Sequence, residues 1–205
     1  LPANVLANNC YGWMFKGCSA LTSAPELPAT EMETYCYNGM FANCTKLTSA
    51  PDLHAKRLES NCYNCMFEGC TSLTSAPELP ATYLVRECYH SMFNGCTSLA
   101  SAPKLPATTL EWGCYSEMFQ GCTSLTSAPE LPAKELIRNC YQLMFKDCSK
   151  LRYVKALFTT GPSEETTKDW LSGVAASGTF VKSKNATWNV TGVHGIPNGW
   201  KIETR

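Results

Sequence analysis

Two columns of cysteine hold most of the chemistry this sequence could do. Cys10, Cys36, Cys62, Cys88, Cys114 and Cys140 recur at a step of 26 residues, and Cys18, Cys44, Cys70, Cys96, Cys122 and Cys148 keep the same step. The remaining cysteine, Cys65, makes Cys62-x-x-Cys65 with Cys70 close behind, a spacing used by thiolate metal sites and redox pairs. A zinc set needs further donors, and no second pair of this kind and no nearby His supplies them. Cys62 and Cys70 also belong to the repeating columns. The columns therefore read as ladders of buried free thiols acting as small hydrophobes. Read as a helix, the two cysteines of one repeat lie roughly 12 Å apart at about 1.5 Å rise per residue. A disulfide spans Cα atoms only to ~7 Å. Bridges between adjacent repeats stay open, though they would leave an odd thiol. No metal and no cofactor is expected.

The other reactive side chains form no set. His54, His90 and His194 sit at unrelated positions, and no Ser-His-Asp or Cys-His order repeats. No catalytic residue is expected, and the chain reads as a non-enzyme. A hydrolase carried by the last 47 or so residues is the weakest of three readings.

The polar groups that do recur form a row: Glu26, Asp52, Glu78, Lys104 and Glu130. Beside it run Thr22, Thr48, Thr74 and Thr126, and Ser23, Ser49, Ser75, Ser101 and Ser127. On one face these would make a hydroxyl-rich surface with an acidic edge, suited to a basic protein patch or to carbohydrate. Alternatively the hydroxyls bond to turn backbone and the charges keep the face soluble. A tuned site breaks its repeat, and the breaks are His54, Ala100, Lys104, Arg152 and Tyr153. The candidate ligand-binding residues are thus Glu26, Asp52, Glu78, Lys104, Glu130, Arg152 and Tyr153.

The elements that must position these groups follow from the repeat, which runs six times without insertion. A fixed period of this length signals a solenoid, in which each unit buries its apolar face on the next. In the unit from Leu79 to Lys104, Leu84, Cys88, Met92 and Cys96 recur every four residues, and Tyr89 and Phe93 widen that face. This predicts an amphipathic helix with Thr82 as its N-cap. Gly95 stands at a left-handed C-cap, a place filled in other copies by Gly17, Asn43, Gly69, Gly121 and Asp147. The following Leu-Thr-Ser-Ala-Pro-Glu-Leu reads as an extended segment. Its proline removes a ladder donor, so only a short parallel strand is expected. The expected fold is an α/β solenoid of the leucine-rich-repeat kind, a right-handed superhelix with six strands on the concave side and helices on the convex side. The inner face would be only about 25 Å long at ~4.8 Å per strand.

Composition narrows the partners. The formal net charge is zero and no basic stripe is visible, which argues against nucleic acid. No apolar run approaches the ~20 residues of a membrane helix. The chain opens on Leu1-Pro2-Ala3, in phase with the repeat, so an upstream segment is expected.

The repeat Cys-Tyr-x-x-Met-Phe-x-Gly-Cys-Thr-Ser-Leu-Thr-Ser-Ala-Pro-Glu-Leu-Pro-Ala, clearest at Cys62 to Ala81 and Cys114 to Ala133, resembles that of BspA-like leucine-rich-repeat surface proteins. Such proteins abound in Bacteroides-type bacteria. The resemblance implies a cell-surface or secreted location and adhesion to host or microbial protein or glycan. It supplies no binding-residue motif. The runner-up is a structural spacer that presents another domain.

Repeat phase persists through Leu151, Val154 and Leu157 and then stops. The expected division is 1–158 for the solenoid and 159–205 for a small α+β cap or independent module. There, Ser163 would cap a helix running to about Leu171 with Glu164 and Glu165 in its first turn. Thr179–Lys182 and Thr187–Val190 read as strands, and Pro197-Asn198-Gly199 as a turn before Trp200.

Overall fold

The computed structural model describes residues 1–205. Its regular elements are few and all lie late in the chain: β1 Tyr153–Ala156, α1 Glu164–Thr167, β2 Thr179–Lys182 and β3 Lys201–Thr204. The strands form one parallel sheet in the order β1-β2-β3.

The helix expected in each repeat does not form. The stretch is a run of four-residue turns, and its hydrogen bonds follow two rules in alternation. In the third copy, Cys65 N–H donates to the His90 carbonyl at 2.8 Å, Phe67 to Met92 at 2.9 Å and Gly69 to Asn94 at 2.7 Å, all in the next copy. Between them, Met66, Glu68 and Cys70 donate three residues back, to Tyr63, Cys65 and Phe67 at 3.2, 3.1 and 3.1 Å. Alternate backbones lie in the left-handed region, as at Asn61 (φ 59°), Tyr63 (61°) and Cys65 (53°). Each such non-glycine residue costs on the order of 1 kcal/mol, and the inter-turn bonds offset that cost.

The local chemistry explains why the helix loses. Cys, Tyr, Asn, Gly and Phe, from the weaker half of the helix-propensity order, make up most of this stretch beside its methionine. A helix of about nine such residues is marginal alone. The turns keep the same four-residue apolar spacing, so the buried face is the expected one: Leu84, Cys88, Tyr89, Met92, Phe93 and Cys96 are all buried. The residues at the expected C-cap do adopt positive φ in every copy, from Gly17 (73°) to Asp147 (61°).

Stacking of identical side chains supplies the cohesion. Tyr37, Tyr63, Tyr89 and Tyr115 stack with ring centroids 5.9 to 6.0 Å apart. Phe41, Phe67, Phe93 and Phe119 do so at 5.6 to 5.7 Å. Each aromatic pair is worth about 0.5–1.5 kcal/mol beyond its buried area. The cysteines are all free thiols, and ten of the thirteen are buried. Many donate S–H to a carbonyl in the preceding copy, as Cys70 does to Phe41 at 3.1 Å and Cys96 to Phe67 at 3.1 Å. That bond gives a reason for cysteine here beyond small apolar volume.

The extended segments meet at isolated parallel bridges, Ser23–Ser49–Ser75–Ser101, then Ser127–Tyr153 and Leu131–Ala156. The prolines account for this: each withdraws an N–H from the ladder. A true strand, β1, forms in the last copy, where Lys155 replaces the proline of Pro25, Pro51, Pro77, Pro103 and Pro129.

Residues 159–205 share the repeats' core, since a single cluster of 55 buried residues reaches from Leu6 to Trp200. β2 pairs with β1 in the register Tyr153↔Thr179, one repeat length apart. Leu143 and Phe145 donate to the carbonyls of Lys168 and Trp170, each at 2.9 Å, as earlier copies do to theirs. This pairing shortens the expected helix: Ser163 is the N-cap, with its N–H 3.1 Å from Thr166 Oγ1, and α1 ends at Thr167. Residues 187–190 form no strand; the expected turn forms at Gly199, and β3, a strand not among those expected, follows it.

Candidate functional site

The pattern Leu-Thr-Ser-Ala-Pro-Glu-Leu decides which side chains reach solvent. Leu73 and Leu79 anchor each end in the core, and the proline ring of Pro77 is buried with them. Thr74, Ser75 and Glu78 face out. The same holds along the stack, so Glu26, Asp52, Glu78, Lys104 and Glu130 form one exposed row at successive turns. Arg152 is exposed beside it, and Tyr153 is half-buried within β1.

Hydroxyl side chains flank the row. Thr48 Oγ1 donates to the Thr22 carbonyl and Thr74 Oγ1 to the Thr48 carbonyl, each at 3.3 Å. These hydroxyls therefore serve the scaffold. Ser49 and Ser75 bridge through their backbone and keep their hydroxyls toward solvent. At the far end Glu130 pairs with Lys155 at 2.7 Å. The sequence row missed Lys155 because β1 shifts the register by one residue, setting Leu131 against Ala156. The change from proline to Lys155 was the available signal.

Two clefts open on this face. One of about 470 Å³ is lined by Glu26, Asp52 and His54 with Pro25, Pro28 and Pro51. His54 stands where other copies carry Pro28, Pro80, Pro106 and Pro132. The other, about 340 Å³, lies between Lys104 and Glu130 and is walled by Pro103, Pro106, Pro129 and Pro132. It sits where the serine bridges are interrupted, between Ser101 and Ser127. The prolines give rigid apolar walls and the row gives charge, an arrangement that can hold a polar ligand by contact and ion pairing. It offers no nucleophile paired with a base.

Burial raises the pKa of the buried thiols, to about 12 for Cys62, Cys70 and Cys88, which disfavours the thiolate that metal binding or nucleophilic attack would need. Cys65 is likewise pushed up to about 12, by burial first and then by Glu68. No group of three His, Cys, Asp or Glu side chains is placed to hold a metal ion. His90 lies 3.8 Å from Glu117, which also accepts from Ser91 at 3.2 Å. His54 is exposed and joins neither.

No helix is long and apolar enough to cross a membrane. Among known proteins, no curated protein and no solved structure matches the chain. The family profile described as BspA type Leucine rich repeat region (6 copies) matches residues 4–78 and 55–160, most of the chain. With its six uninterrupted copies of Met-Phe-x-x-Cys stacked turn on turn, the chain belongs to the BspA-type leucine-rich-repeat family.

Proposed function

We propose that this chain is a non-enzymatic binding protein at a bacterial cell surface, adhesin-like, which recognises a host or microbial protein or glycan. The supporting observation is the exposed row Glu26, Asp52, Glu78, Lys104, Glu130 with Arg152 and Tyr153, set beside proline walls on a stack whose recurring apolar side chains are buried. Lys104 and Arg152 interrupt an acidic and hydroxyl-rich face, and ligand contacts centre on them. Residues 159–205 serve as the closing turns of the solenoid, with no ligand of their own. The solenoid is right-handed, as crossovers between parallel strands are.

Two observations favour the spacer reading: the Thr48 and Thr74 hydroxyls bond to the preceding turn, and Glu130 is taken by Lys155. A binding screen of the purified chain separates the two readings. It covers matrix proteins, mucins and a glycan array, with a Lys104→Ala, Arg152→Ala, Tyr153→Ala triple variant alongside. Binding weakened by the triple variant supports the adhesin; binding to nothing in the panel supports the spacer.

A further inference from the structure

A second face carries a cleft that the charged row does not reach. Val5, Glu31, Arg57, Tyr83, Thr109 and Glu135 occupy one repeat position, with five residue types in six copies. The equivalent place on the row's side is serine in five copies, from Ser23 to Ser127. Parallel bridges join Val5 to Glu31 and run through Arg57, Tyr83 and Thr109, but none joins Glu31 to Arg57. At that gap, between the second and third turns, the stack opens a cleft of about 550 Å³. Ligand sites fall at roughly 300–1,000 Å³.

The cleft has an apolar floor and two charged walls. Leu6 and Met32, both buried, make the floor with Val5 beside them. The second turn contributes Glu31 and Glu33 and no base, while the third contributes Lys56 and Arg57 along with His54 and Glu59. All four of Glu31, Glu33, Lys56 and Arg57 are exposed. None of them, nor Glu59, belongs to any of the ion pairs of the chain. Opposite charges thus face one cleft without neutralising each other. A ligand of single sign gains on one wall what it loses on the other. A ligand bearing both signs gains on both.

We propose that this cleft binds a short peptide segment carrying charges of both signs. Its cationic side chain lies against Glu31 and Glu33, its carboxylate against Lys56 and Arg57, and an apolar side chain rests over Leu6 and Met32. Apart from His54, which lines both clefts, the site uses residues separate from the row Glu26 to Tyr153, and the variants below leave that row intact.

The test titrates the full chain with four blocked tripeptides: Ac-Lys-Leu-Glu-NH2, its reverse Ac-Glu-Leu-Lys-NH2, and the single-sign Ac-Lys-Leu-Lys-NH2 and Ac-Glu-Leu-Glu-NH2. At least one mixed peptide binds about tenfold more tightly than both single-sign peptides, and added salt weakens it. The Glu31→Gln, Glu33→Gln variant and the Lys56→Gln, Arg57→Gln variant each lose about tenfold. Lys150→Gln, an exposed change elsewhere, loses nothing. Unchanged melting of each variant assigns the loss to the cleft. Single-sign peptides binding as well as mixed ones, no binding by either mixed peptide, or affinity indifferent to both double variants would overturn the proposal.

Discussion

The first and sixth turns carry the same core residues and fare differently. In the first, Tyr11 and Phe15 are half-buried, and Trp13 and Met14 are 44% and 51% exposed. In the sixth, Tyr141, Met144 and Phe145 are fully buried. The difference is the neighbour. Tyr141 packs on Trp170 and Phe158, and Phe158 packs in turn on Trp188 at 5.1 Å. Trp170 Nε1 donates to the Gly195 carbonyl at 2.9 Å and Trp200 Nε1 to Ala175 at 2.9 Å, so the closing aromatics are also hydrogen-bonded. A turn in this fold holds little stability of its own; it takes it from the turns on either side.

The largest effect that sharpens the comparison is alkaline. Cys62, Cys70, Cys88, Cys140 and Cys148 lie in covered turns and have thiols raised by burial to about 12, against an ordinary 9.0. An acid whose folded pKa is raised adds stability that is whole below the unfolded pKa and lost as pH climbs towards the folded one. Each such thiol gives up about 1 kcal/mol between pH 9 and 10, a large share of a net stability of about 5–15 kcal/mol. Denaturant midpoints should therefore fall steeply above pH 9 and stay flat from pH 7 to 8. In the native state at pH 8, a thiol reagent should label exposed Cys18 and leave the ten buried cysteines until denaturant is added.

Next comes truncation at the two ends. Trp170→Ala removes a fully buried ring and should cost about 3–5 kcal/mol. Met14→Ala, at a side chain 51% exposed, should cost less than about 1 kcal/mol. Equal costs in urea unfolding would break the comparison. Lys155→Pro restores the residue that other copies carry and removes the ammonium that pairs with Glu130; a loss of about 1 kcal/mol is expected. The smallest effect is Glu130→Gln, which deletes a partly exposed ion pair and should cost under about 1 kcal/mol in the same assay.

The sequence made the period and the buried columns legible because each depends on spacing alone; the charged row was legible as a repetition, while its exposure was not, since alternation breaks at the proline. A four-residue spacing buries the same side of a helix and of a run of four-residue turns, so Leu84, Cys88 and Met92 could not distinguish them. The choice was made by backbone groups of the next copy, such as the His90 carbonyl that takes Cys65 N–H. The closing turns hid for a related reason. Trp170 and Gly173 stand 26 residues after Met144 and Asp147, but the change of residue type masked the phase. In the candidate site, the row was readable from its repetition, while the Lys155 partner and the gap beside Arg57 arise from a register shift and a missing bridge.

Native-state hydrogen exchange, resolved along the stack, tests the central claim most directly. Phe15, Phe67 and Phe119 N–H groups make the same 2.9 Å bond to the following turn, so bond geometry alone predicts equal protection. If neighbouring turns supply the stability, protection rises from Phe15 to Phe67 and Phe119 and stays high at Phe145, beneath Trp170. Protection at Phe15 equal to that at Phe119, or a collapse at Phe145, would contradict it.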